Sequence, residues 1–515
     1  MAYAAAATKT NKMGIVLAGL LLGILMASMD NTIVATAMGT IVGELGGLDK
    51  FVWVTSAYMV AEMAGMPIFG KLSDMYGRKR FYVFGIILFM LGSALCGTAN
   101  SIVELSLYRA IQGIGAGALV PVAFTIMFDV VPVEQRGKLG GLFGAVFGMS
   151  SIFGPLLGAY ITDYINWKWV FYINLPLGII AFFMIAFFYT ESHEHSKQRI
   201  DWWGAVTLVG AVVCLMFALE LGGKTYAWDS GQIIGLFAGF AVLVFAFIFA
   251  ERRAEEPIIT FGMFRNRLFS SSTLVGMFGG AAFVTASVYI PIYIQGVLGG
   301  SATNSGLVLL PMMLGSVVSA TGGGFLLNKF SFRSIMIPFT AVFVIGTLLL
   351  TTLTTDTSRF TVTLYMIIVG VGIGASFSVL SNAAIHTFSA YQRGSASATL
   401  NFVRSLGMTL GITIFGILQS HVFTRKMTEA MAGLGQGQGA PGGLESLDPR
   451  ALLTEKARAT IPGPVLEKIT AALSSSISYT FLWALVPAVL ALLFTFTMGK
   501  AKLDPSAEHS GAVGH

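Results

Sequence analysis

Three ionisable residues, Asp30, Glu62 and Arg109, stand inside long apolar runs of this sequence, where a charge is costly and usually marks a site of function. A carboxylate drawn partly out of water favours its protonated form, and a guanidinium beside it favours the charged form again. A small rearrangement of such a pair can therefore load or release a proton, which is the chemistry that couples a proton gradient to the movement of a second solute. Asp30 lies about seven residues from one end of the helix its run predicts, and Arg109 about six from the same-side end of another. At about 1.5 Å per residue both sit roughly 10 Å deep, and the expectation is that they share one aqueous cleft. Glu62 lies roughly 13 Å below Trp53, near the midplane of a bilayer. The bland alternatives are a structural ion pair for Asp30 and Arg109, and a hydrogen-bonded structural acid for Glu62.

The elements that hold these residues follow from composition. Of the 515 residues, 55% are hydrophobic and only 11% charged, where a soluble protein carries about 25% charged residues. A water-soluble globular enzyme is excluded, and the apolar content suits roughly fourteen crossings of about 20 residues each. The 61 glycines fit closely packed membrane helices. Cys96 and Cys214 both lie inside apolar runs, so neither a disulfide framework nor a zinc site can be built from them. No HExxH, P-loop or Ser/His/Asp cluster is present, so no cofactor, metal or enzyme activity is expected. The net charge of +6 is spread over short loops rather than gathered on one face, which argues against a nucleic-acid partner. No ring-forming filter motif speaks for a channel.

Apolar runs between charged or turn-rich breaks predict helices at 14–40, 53–69, 81–99, 104–128, 138–162, 168–189, 202–222 and 231–250. A second set follows at 268–295, 303–327, 334–354, 361–386, 395–423 and 476–499. The first run is longer than a signal-peptide core and is taken as retained. An even number of crossings puts both termini on one side. With the termini cytoplasmic, the inner loops and tails hold nineteen Lys and Arg, against Lys50, Lys168, Lys224 and Arg359 in the short outer loops, which fixes the expected orientation. The outer segment 424–475 opens with a glycine-rich stretch, 435–443, followed by short helical patterns after Asp448 and Pro464. A solvated loop is the expectation there, rather than a lid.

An internal repeat organises the chain. Gly70-Lys71-Leu72-Ser73-Asp74-Met75-Tyr76-Gly77-Arg78-Lys79-Arg80 has a worn copy from Gly324 to Arg333, and the glycines of 113–117 are echoed at 370–374. The expected organisation is a 1–13 tail, a six-helix bundle at 14–190, a two-helix insert at 191–267, a second six-helix bundle at 268–499 and a 500–515 tail. Two repeated bundles around a midplane cavity is a transporter architecture.

Several motifs together resemble the major facilitator superfamily, specifically its fourteen-helix drug:proton antiporter branch. Gly70 to Arg80 fits the loop pattern G-x-L-x-D-x-x-G-R-K-x, and Arg109 to Gly117 fits the fourth-helix pattern. Gly141, Gly154, Pro155 and Gly158 fit the fifth-helix antiporter pattern, with Ser150 where a glycine is usual. Met29 to Val34 and Trp167 to Pro176 look like signatures of the fourteen-helix branch. The resemblance implies an all-α polytopic membrane protein of the major facilitator fold, with 14 transmembrane helices arranged as 6+2+6 in two pseudo-symmetric bundles.

Within that frame Gly70, Asp74, Gly77 and Arg78 are expected to form a conformational latch. The glycines would allow a tight turn, and Asp74 would sit just before a helix N-terminus. The Gly/Pro spacing of 141–158 predicts a smooth, kinked face for close helix packing. Superfamily geometry implies a substrate site between the bundles, lined by Met26, Asn31, Tyr58, Glu62, Gln112, Tyr289, Tyr293, Gln295 and Asn382. Beyond Glu256 every acid is expected in a loop or tail, so proton coupling falls to Asp30, Arg109 and Glu62 in the first bundle. Arg404 is expected to line the cavity or pair with a backbone carbonyl. Glu220, His386 and His421 read as bystanders, and Asp129, Glu134 and Arg136 as bundle packing. The function expected is export of an amphipathic, cationic or neutral drug-like molecule across a bacterial-type cytoplasmic membrane in exchange for protons, by a monomer. The alternative is a narrow exporter of one metabolite or antibiotic on the same scaffold.

Overall fold

A computed structural model of the chain describes residues 2–45, 52–132, 135–191, 201–223, 225–300, 302–432 and 462–502. The described residues are helical, apart from turns and an isolated bridge between Gly222 and Tyr226. In hydrocarbon every backbone N–H and C=O needs a partner within the segment, which long apolar runs meet by forming helices. In chain order these are α1 Ala2–Leu45, α2 Val52–Tyr76, α3 Arg78–Cys96, α4 Ile102–Val130, α5 Arg136–Tyr164, α6 Trp169–Tyr172, α7 Asn174–Phe188, α8 Trp202–Leu221 and α9 Gly231–Arg253. There follow α10 Arg267–Gly296, α11 Ala302–Leu326, α12 Phe332–Leu350, α13 Arg359–His386, α14 Arg393–Ala432 and α15 Gly463–Thr495. Among the described residues, 12 helical stretches are long and apolar enough to cross a membrane, with α6 and α7 forming one of them. The helices α2 and α5 fall outside that set.

The structure corrects the expected elements in four places. The first helix begins at Ala2, inside the expected 1–13 tail, and runs on to Leu45. The stretch from Gly70 to Tyr76 is the last part of α2 rather than a loop, and the chain turns only at Gly77, whose φ of 113° suits glycine. The run 168–189 is split at Ile173 into α6 and α7. The helix α14 runs on to Ala432 and α15 begins at Gly463, so both ends of the expected outer loop are helical. Glu429 and Glu467 therefore lie on helices rather than in a loop. The glycine-rich stretch and the pattern after Asp448 lie outside the described residues.

Close contacts divide the chain into two compact units. One holds the residues up to Thr273 together with Leu380–Val403; the other holds Leu274–Val379 and Arg404–Lys502. In the first, α2 lies directly on α4 because Gly113 and Gly117 lack side chains. A Cβ on either would run into the carbonyl oxygen of Tyr58 or Glu62 respectively. A separate cluster of Ile33, Val34, Ile161, Trp167 and Phe171 joins α1, α5 and the short α6. The second unit has its own core, with Tyr293, Met312, Phe343, Met366 and Phe481 buried. Apolar side chains also cover outward faces, with Phe245 of α9 76% exposed, a surface for lipid rather than water.

Candidate functional site

Asp30 and Arg109 meet in an ion pair, and both side chains are wholly buried. The pairing has a local cause. Arg109 is carried by α4, whose glycine-lined face draws it against α2, and there its Nε donates to the Val54 carbonyl at 3.2 Å. Its guanidinium lies 4.1 Å from the centre of the Tyr58 ring. The Tyr58 hydroxyl donates to the Ala27 carbonyl of α1, 3.2 Å away, one turn before Asp30.

The rest of the shell comes from amides. Asp30 Oδ1 accepts from Gln112 Nε2 at 2.8 Å and from Asn174 Nδ2 at 2.9 Å, while Arg109 Nη1 also donates to Gln112 Oε1 at 2.8 Å. Ser93 ties the amides together, accepting from Gln112 at 3.2 Å and Asn174 at 3.1 Å and donating to the Phe171 carbonyl at 2.8 Å. A buried ion pair persists only where such bonds replace lost hydration. Each of these groups facing the Asp30 carboxylate is a donor.

The expected aqueous cleft is thus a closed polar cluster, with Asp30, Arg109, Gln112 and Asn174 each 0% exposed. Asn174 and Ser93 were missed by sequence reasoning. Asn174 stands inside the Trp167 to Pro176 signature, which pointed to it without a role; Ser93 carried no signal.

Glu62, half-buried on α2, is hydrogen-bonded by the Asn31 side chain and interacts electrostatically with Arg109 and Asp30. Of the expected substrate liners, Asn31, Tyr58, Glu62 and Gln112 therefore gather at the pair. Tyr58 and Gln112 are spent as its partners. Met26 is buried against Gly178 of α7, and Asn382 is buried in the same unit. Tyr289, Tyr293 and Gln295 belong to the second unit, where Tyr293 donates its hydroxyl to the Thr354 carbonyl.

On α5, Gly154 and Gly158 face α1 so closely that a Cβ on either would strike Thr32 or Thr36. Ser150 adds a hydrogen bond of 2.7 Å to Ser28. Pro155 lies inside the helix, and the side-chain surroundings of position 141 lie outside the described residues.

The Gly70 to Arg80 motif builds something other than the expected cap of its own next helix. Asp74, in the last turn of α2, accepts from the amides of Gly394 at 2.9 Å and Ser395 at 2.8 Å, at the start of α14. Arg78 bonds Asp74 at 3.2 Å and pairs with Asp129, which also lies 3.9 Å from Arg393. Asp129, on α4 rather than in a loop, thereby joins this cluster. A Cβ on Gly70 would collide with Ala398, so this glycine serves close approach rather than a turn. Lys71 pairs with Glu256 at 2.6 Å, and the Arg78 amide donates to Glu191 at 2.6 Å. Glu134 lies outside the described residues, as does the side chain of Arg136.

Among the described residues no His, Cys, Asp and Glu group could hold a metal ion. Arg404 is buried with its guanidinium 5.2 Å from the centre of the Phe377 ring. Glu220 is half-buried near the end of α8, and His421 is exposed on α14.

Comparison with known proteins gives the family of the chain. The profile of the Major Facilitator Superfamily matches residues 20–412. Multidrug resistance protein 3 of Bacillus subtilis (strain 168) is 55% identical over 494 residues, covering 96% of this chain and 96% of the relative. Multidrug transporter protein MdtP of the same organism is 41% identical over 412 residues, covering 80% and 76%. In structure the chain is similar to the proton:xylose symporter XylE, with a TM-score of 0.59 at 14% identity over 97% of this chain and 99% of that one. That last likeness concerns the fold alone.

Proposed function

The chain belongs to the major facilitator superfamily, and on that premise we propose that it exports amphipathic drug-like compounds in exchange for inward-moving protons, by alternating access. The family and the relatives named multidrug transporters make it a multi-pass membrane transporter of small molecules. Antiport is the finer reading, and the observation that carries it is the Asp30 and Arg109 pair, buried with each carboxylate partner a donor. Glu62 interacts electrostatically with both members of the pair, so a second acid stands beside the proton site that a carrier needs.

In this reading the compound enters near Glu62 from the cytoplasm or inner leaflet. Opening of the cluster exposes Asp30, its protonation favours outward release, and Arg109 re-forms the pair as the proton leaves inward. The contacts of Asp74, Arg78 and Asp129 with the start of α14 act as the cytoplasmic latch. The membrane is a bacterial-type cytoplasmic membrane with both termini inside and a monomer as the transporting unit. With α2 and α5 counted as crossings, the count is fourteen in a 6+2+6 order. Dye efflux from proteoliposomes under an imposed pH gradient tests the coupling. Asp30→Asn should insert normally yet lose gradient-driven efflux; efflux at the wild-type rate would refute the role of Asp30. A wild-type protein clearing one compound and none of a panel of unrelated lipophilic dyes would mean the narrow exporter instead.

A further inference from the structure

Arg404 poses a charge problem that the described residues do not solve. It lies eleven residues into α14, about 16 Å from the helix start at 1.5 Å per residue, within the first third of the apolar stretch Arg393–Ala430. It is 8% exposed, and its Nη2 has no hydrogen-bond partner among the described residues. Near the midplane of a bilayer about 30 Å thick, the side chain is too short to reach either interface. Arg109, the other buried membrane arginine, has Asp30, Gln112 and the Val54 carbonyl. Among the described residues Arg404 has a ring face, that of Phe377 at 5.2 Å, and a cation–π contact offsets just part of the cost of burying a cation.

Among the described residues no acid pairs with it. Beyond Glu256 the sequence holds Asp356, Glu429, Glu445, Asp448, Glu455, Glu467, Asp504 and Glu508. Asp356 lies between α12 and α13. Glu429 is twenty-five residues further along α14, about 37 Å away. Glu467 lies near the start of α15. The surroundings are built to hold the arginine all the same. Gly280 of α10 leaves room for it: a Cβ there would stand 3.4 Å from Arg404 Cγ and 3.3 Å from its carbonyl oxygen. Phe283 packs edge-on against Phe377 at 6.2 Å.

From this we infer that Arg404 is the anchor for the carboxylate of an amphipathic substrate, whose apolar body lies against Phe377 and its neighbours. A guanidinium presents paired N–H donors that match a carboxylate in two parallel hydrogen bonds. A lipid phosphate is confined to the interface, far from this depth. The inference rests on the transport reading for the route by which the ligand arrives, and it extends the substrate class from cationic and neutral compounds to carboxylates and zwitterions.

The test is equilibrium binding to the purified full chain in nanodiscs, without any gradient, using pyrenebutyrate and its uncharged analogue pyrenebutyramide. Wild type should hold the carboxylate about tenfold more tightly than the amide, the size of one charge-assisted contact. Arg404→Gln should bind both equally, at the affinity wild type has for the amide. Arg404→Lys, which keeps the charge but not the paired donors, should retain less than half of the preference. The inference is overturned by equal affinities in wild type, by a preference that survives in Arg404→Gln, or by an equal loss of both ligands in that variant, which marks a structural role. Removal of the preference by millimolar chloride also overturns it, since an inorganic anion is then the occupant. If Arg404→Gln does not fold, Arg404→Lys decides, an unchanged preference counting against. Because no gradient is applied, failure of proton coupling and failure of carboxylate binding are read separately.

Discussion

The carboxylate of Asp74 caps α14 through the amide of Gly394, 2.9 Å away and 320 residues further along the chain. Its second oxygen takes the amide of Ser395, so a single side chain satisfies two of the free donors at that helix start. Arg78 holds the carboxylate from the other side.

Asp74→Asn should loosen this cap, because an amide offers one acceptor where the carboxylate offers two and carries no charge to meet the helix dipole. A cost of about 1 kcal/mol is expected. Hydrogen exchange should quicken at Gly394 and Ser395 while the Asp30 cluster stays protected. Unchanged exchange at those two amides would mean that the contact does not hold the helix start.

Asn174→Leu removes a donor from Asp30 and from Ser93 at similar volume. The loss of one hydrogen bond to a charged group costs about 1.5–3 kcal/mol. The variant should insert, melt at a lower temperature and move dye more slowly under a pH gradient. Wild-type melting and transport together would show that Asn174 is a bystander beside the pair.

Gly113→Ala places a methyl group against the Tyr58 carbonyl oxygen, forcing α2 and α4 apart. Overpacking of this kind costs about 1–3 kcal/mol, and here it also shifts the ring under Arg109. Gly43→Ala is the control, since nothing lies within 4 Å of a Cβ there. In thermal unfolding of the purified protein, Gly113→Ala should melt well below Gly43→Ala; equal melting would contradict the packing account.

Much of the membrane architecture was legible because hydropathy is a local property. Helices appear at the expected places, with ends mostly within a few residues, and the rarity of charge inside apolar runs singled out Asp30, Glu62, Arg109 and Arg404. The loop motif was visible as a pattern, yet its conformation was not. The sequence suggested a turn from Gly70 onward, whereas packing against Ala398 keeps that stretch helical until Gly77.

By itself, then, the sequence determined that the chain is a membrane transporter of helical build with a few costly internal charges, since burial in lipid imposes its rule on each segment separately. Only the tertiary structure decided what those charges meet. Asn174 and Ser93 join Asp30 from helices far apart in the chain, Tyr58 and Gln112 are drawn into its shell, and Asp74 crosses to α14. Arg404 keeps a guanidinium nitrogen without a hydrogen-bond partner among the described residues. The reason is physical: a hydrogen-bond partner is fixed by which helix faces come together, and that depends on glycine-sized gaps and side-chain reach across the fold, which have no signature in the spacing of residues along one helix.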